Sequence, residues 1–245
     1  MKALSRLSSL LNLKVKLMMN ANILFAPVFA LVLTGALRVL YGNITKGEIP
    51  EFMMQLLLNI GLSFNIGMTG IFLISAMVAE EKENNTLRVL MTSSVTAREF
   101  FFASVIPPFA VMIVVNLLLI PISGIRVDGV NLLIYLIISS IAGFISCMIG
   151  MTIGIYGKSQ VNASTLAMPV LLIITMIPTF ASFSPVLDKI SGYLFVGIVT
   201  EMVSQMILTG IASLSLKHYL VLLGEIILVG IVFRMAYYRN GFEKD

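Results

Sequence analysis

The chain has no tryptophan, one cysteine and one histidine in 245 residues, and only 11% of its residues are charged. Each scarcity closes off a chemistry. Cys147, alone inside an apolar run, has no partner for an intrachain disulfide and reads as a small packing residue. His218, the single histidine, leaves no histidine-based metal cluster and gives Ser-His or Cys-His machinery only one position around which to form. No catalytic residue and no metal-ligand set is therefore expected. With seven tyrosines and no tryptophan, there is little aromatic surface for stacking sugars. The shortage of charge excludes most. A soluble domain is about half apolar and about a quarter charged, whereas this chain is 58% hydrophobic with a mean hydropathy of +1.02. It reads as an all-α integral membrane protein.

What is present is a set of long, continuous apolar runs. A helix crosses a bilayer with ~20 apolar residues, while barrel strands show as ~10-residue alternating segments. The runs predict six transmembrane helices at about 23–40, 53–78, 101–120, 132–155, 165–182 and 219–236. Before them, residues 1–20 set Leu4, Leu7, Leu10, Leu11, Val15 and Met18 among Lys2, Arg6, Lys14 and Lys16. That pattern predicts an N-terminal helix lying on an anionic membrane surface. Before the last span, 183–217 breaks the pattern: Pro185, Asp188, Lys189 and Gly192 precede an apolar stretch, 193–208, interrupted by Glu201 and Gln205. This predicts a re-entrant or interfacial outer hairpin. Residues 1–245 form one transmembrane domain, and catalytic or regulatory machinery of domain size is expected on another chain.

Six spans place both termini on one side. Lys2, Arg6, Lys14, Lys16, Lys82, Arg88, Arg98, Lys158, Arg234, Arg239 and Lys244 share that side, against Arg38, Lys46, Arg126, Lys189 and Lys217 opposite. The positive-inside rule then makes the termini and the loop at 80–99 cytoplasmic, in a multi-pass protein of the cell membrane. That loop is dense in charge: residues 79–100 hold seven of the 28 Lys, Arg, Asp and Glu residues. Gly157-Lys158-Ser159 matches the end of a phosphate-binding loop, but the glycine required five positions earlier is Thr152. Any nucleotide site is expected on a partner.

The loop reads Glu81-Lys82-Glu83-Asn84-Asn85-Thr86-Leu87-Arg88-Val89-Leu90-Met91-Thr92-Ser93-Ser94-Val95-Thr96 and runs on to Arg98-Glu99. It resembles the first cytoplasmic loop of ABC-2 family permeases, the type V ABC exporter fold. There, a Glu-Lys/Arg-Glu-x-Gly-Thr-Leu stretch, several apolar positions, Ser/Thr-Pro-Val-Ser/Thr and Arg/Lys-Glu join the second span to the third through a coupling helix. Asn85 stands for the family's glycine, and asparagine tolerates positive φ best among other residues; Ser94 stands for its proline. The plan of interfacial helix, six spans and broken outer segment is similar over the whole chain. The resemblance implies that Glu81, Glu83, Thr86, Leu87, Arg88, Leu90, Met91 and Thr92 dock an ATPase, with Leu87, Leu90 and Met91 as apolar knobs. It also implies a separate cytoplasmic ABC ATPase that supplies ATP and Mg, a second permease subunit, and a substrate path along the second and fifth spans. Asn59, Ser63, Asn65, Thr165, Met168 and Thr175 are the candidates for that path.

Polar residues inside spans are expensive and point to function. Besides Asn59, Ser63 and Asn65, Asn116 and Glu225 stand out. Glu225 would be satisfied by a proton, by water, or by pairing with Arg38 near the outer end of the first span. Ser146, Gly150 and Gly154, with Gly143 and Gly157, form a small-residue row that lets helices approach, within a subunit or between two. The expectation is a permease subunit of an ATP-driven exporter for a hydrophobic or amphipathic substrate, peptide or drug-like, in contact with lipid and with no role for nucleic acid. The alternatives are an intramembrane protease-like enzyme, for which Glu80-Glu81 lacks companion ligands, and a proton-coupled carrier using Glu225.

Overall fold

The computed structural model describes residues 10–12, 14, 15, 21–84 and 97–240, with backbone only for 21–24, 97, 98 and 240. The described chain is all-helical. Its long helices are α1 (Ala21–Ile44), α2 (Glu51–Glu83), α3 (Ala97–Ser123), α4 (Gly129–Tyr156) and α5 (Gln160–Thr179), followed by short α6 (Pro185–Ser191), then α7 (Phe195–Thr209) and α8 (Leu216–Asn240). Six helices are long and apolar enough to cross a membrane, or seven if the α6–α7 pair counts as one. These six match the six apolar runs. Their ends differ from the runs because a helix does not stop where hydropathy falls; it stops where its end groups find partners.

The fifth span shows the difference. It was expected at about 165–182 but runs Gln160–Thr179, since the Ser159 hydroxyl accepts from the Asn162 N–H at 3.2 Å and starts α5 at Gln160. In the same way, the Asp128 carboxylate accepts from Asn131 N–H at 3.2 Å and starts α4. Pro107, Pro108 and Pro121 lie within a continuous α3.

α2 is the axis of the molecule. At 1.5 Å per residue, 33 residues run about 50 Å, longer than the ~30 Å hydrocarbon core. Of its most apolar stretch 83% is buried, against 11% for α8. α4 packs along α2 through the small-residue row: a methyl group on Gly154 would lie 2.7 Å from Val78 Cβ, and Gly150 sits against the Gly70 and Ile71 carbonyls with no room for a side chain. Gly143 faces Met112 of α3. The row serves close packing within this chain. Near its middle α2 changes to a π-helix over Ile66–Leu73 and then resumes.

The 183–217 region holds α6 and α7, which meet at 108°. Gly210, at φ +76°, ends α7, and Asn131 clamps the following turn by donating to Gly210 O at 2.9 Å and accepting from Ala212 N–H at 2.8 Å.

Candidate functional site

The last turn of α2 carries four consecutive charges, Glu80 to Glu83, and three of them have specific partners. Glu81 is buried and ion-paired with Lys14, whose side chain is 1% exposed; the Lys14 ammonium also lies 4.8 Å from the centre of the Phe100 ring at the start of α3. Burial lowers the Lys14 pKa, and the Glu81 charge opposes that shift. Lys82 Nζ donates to Ile155 O, at the end of α4, at 3.2 Å. Glu83 Oε2 accepts from the Gln160 N–H, at the positive end of α5, at 2.9 Å. One helical turn thus grips Lys14, which lies against the start of α3, the end of α4, and the start of α5.

Glu80 differs. Its side chain faces a cavity of about 400 Å³ between α1, α2 and α5. Phe25 and Ala26 form one wall, Phe72, Leu73, Ala76 and Met77 a second, and Gln160, Val161, Ser164, Thr165 and Met168 a third. Two of the six path candidates, Thr165 and Met168, therefore line open space, and both are exposed.

The other four are buried in the bundle. Asn65 Nδ2 donates to Asn116 Oδ1 at 2.8 Å and to Met112 O at 3.0 Å, and its Oδ1 accepts from Thr69 at 3.0 Å. Tyr135 donates to Asn116 O at 2.7 Å and Ser146 to Ile66 O at 2.6 Å. This network joins α2, α3 and α4 around the π segment. Asn65 thus serves as an internal fastener in this chain, where it was expected on a path. Thr175 donates to Leu171 O at 2.8 Å and packs its methyl against Gly67. Asn59 and Ser63 share the α2 face of Gln55, which donates to Ser204 of α7 at 2.7 Å, and both are closed off from the surface.

Arg38 and Glu225 do not pair. Arg38 donates to the Pro121 and Ile122 carbonyls, each at 2.7 Å. These carbonyls lie in the last turn of α3, where Pro121 O also accepts from the Gly124 N–H at 3.2 Å, so a guanidinium there caps the helix end and favours its dipole. Glu225 Oε1 accepts from the Phe195 N–H at 3.2 Å, at the start of α7, the mirror case of a carboxylate on free N–H groups. Both residues bond to helix ends, a demand that exists only once the helix boundaries are known.

Of the expected coupling residues, Glu81 and Glu83 are in the clamp just described. Thr86, Leu87, Arg88, Leu90, Met91 and Thr92 lie outside the described residues, as does most of the expected interfacial helix. Sequence reasoning missed Lys14 as a partner of Glu81 and Glu80 as a cavity residue. The available signal was the unbroken Glu-Glu-Lys-Glu run at four-way angular spacing around a helix end. Among the described residues, no cluster of His, Cys, Asp or Glu could hold a metal. No family model matches the chain, and no curated protein matches it.

Proposed function

We propose that the chain is the permease subunit of an ATP-driven exporter of the ABC-2 type, working in the cell membrane as one of two permease subunits with a separate ATPase. In this reading the termini and the 80–99 loop are cytoplasmic, residues 1–20 lie on the membrane surface, and α6–α7 re-enters from the outer face. ATP and Mg are bound by the partner, and the substrate is hydrophobic or amphipathic, moved outward by alternating access.

The observation that supports this reading best is the clamp at the end of α2. A domain that pushes on residues 85–96 acts on a helix turn tied by Glu81, Lys82 and Glu83 to three other parts of the bundle. Packed interiors transmit such displacement because they deform little. A loop with no mechanical duty has no need for ties of this kind. The 400 Å³ cavity lies beside the same turn, so movement there changes the shape of the space where a substrate would enter.

The test is reconstitution with and without the ATPase. Outward transport should require both proteins and hydrolysable ATP. Gradient-driven transport by the chain alone, or cleavage of a lipid or peptide without an ATPase, would overturn the proposal.

A further inference from the structure

Among the described residues, the cavity between α1, α2 and α5 has one ionisable side chain in its lining, Glu80. Its charged neighbours on the same turn are engaged elsewhere: Glu81 with Lys14, Lys82 with Ile155 O, Glu83 with Gln160 N–H. The Glu80 side chain has no hydrogen bond and no ion pair among the described residues, and its charge lies close enough to Glu81 to be felt there. Thr165, on the facing wall, has its hydroxyl committed to Val161 O at 2.9 Å. What remains, among the described residues, is an apolar chamber with two phenylalanine rings, Phe25 and Phe72, and one carboxylate without a counter-charge.

Each class of amphiphile meets this chamber differently. An anion is repelled by Glu80 and by the rings' negative faces. A neutral molecule gains apolar contact and leaves the carboxylate unused. A cation gains the same contact, the carboxylate's attraction at reduced dielectric, and attraction to the aromatic faces. The volume, about 400 Å³, is within the range of small-molecule sites.

We propose that this cavity binds a lipophilic cation, with Glu80 as its counter-charge and Phe25 and Phe72 against its apolar body. As a statement about the exported substrate, this rests on the permease reading; as a statement about binding, it concerns this chain alone.

The experiment is equilibrium binding of tetraphenylphosphonium to the purified chain in phosphatidylcholine nanodiscs, with empty discs subtracted. Tetraphenylborate, of the same shape and opposite charge, is the control. Saturable binding of the cation is expected, with no saturable binding of the anion. Glu80→Gln should weaken the cation about tenfold, a 1.4 kcal/mol change, and Glu80→Asp should retain most of the affinity. Thr165→Trp, at an exposed position of the wall, should block the site while leaving the thermal unfolding midpoint unchanged. Absence of saturable cation binding, equal binding of the two ions, or unaltered affinity in a folded Glu80→Gln variant would each overturn the proposal. Binding as described by a chain that neither recruits nor stimulates an ATPase would leave this site standing and remove the permease reading instead.

Discussion

Lys14 and Glu81 show what a charge buried in this bundle needs. Each is almost wholly enclosed and each is the other's ion-pair partner. Breaking such a pair leaves a bare buried charge, so Lys14→Met should cost about 3–5 kcal/mol. The double variant Lys14→Met with Glu81→Leu should regain most of that, because replacing both partners by apolar groups is often close to neutral. Unfolding in mild detergent across the four-member cycle checks this. A Lys14→Met variant as stable as the parent would contradict the clamp. Arg38 and Glu225 give the opposite case. Arg38→Met removes two charge-assisted bonds to the end of α3, each worth about 1.5–3 kcal/mol. Because Arg38 and Glu225 have no common partner, its effect should add to that of Glu225→Gln within about 0.5 kcal/mol. Strong coupling between the two would restore the direct pair that the sequence suggested. That pairing was a reasonable reading of two opposite charges near the outer ends of two spans. What defeated it was backbone demand: terminal carbonyls and N–H groups attract charged side chains, and their positions cannot be read from composition.

Among the elements, the six long helices were legible because ~20 apolar residues in a row have few other destinations. Their ends were less so, and Ser159 shows why: a single hydroxyl moved the start of α5 to Gln160. The π segment of α2 had no sequence signature, since Ile66 to Leu73 reads as an ordinary apolar run. What it does have is two glycines, Gly67 and Gly70, that receive Thr175 of α5 and Ser146 of α4 without a side chain of their own. The small-residue row on α4 was legible as a close-approach surface, but the partner was not, because glycine spacing carries no address. The structure gives the partner as α2 of the same chain. Gly150→Leu should therefore fail to fold or lose about 3 kcal/mol or more, the upper end of overpacking costs, and Gly224→Leu, where nothing lies within 4 Å, should be tolerated. Folded yield and unfolding midpoint measure both. Asn65→Leu should cost about 1–3 kcal/mol by stranding Asn116 and Thr69 without their shared partner. A normal midpoint in that variant would free Asn65 for the substrate path first expected of it.

For the molecule as a whole, two features meet at one end: a helix turn tied to its neighbours by three charged side chains and a chamber lined by a fourth. The sequence marked that end by its charge density and by its resemblance to a coupling loop. The ties of Glu81, Lys82 and Glu83 favour docking, because side chains that serve only to solvate a loop would point into water. The proposed docking segment, Thr86 to Thr92, comes soon after this turn in the sequence. If force enters there, its loss should leave the bundle folded and the motor idle. The decisive measurement is ATP hydrolysis by the reconstituted permease–ATPase pair, with and without tetraphenylphosphonium, for the parent and for a variant carrying alanine at Leu87, Leu90 and Met91. Coupling through this segment predicts an unchanged unfolding midpoint for the variant chain and loss of stimulation to the rate of the ATPase alone. Stimulation by the triple-alanine variant equal to the parent's would contradict it.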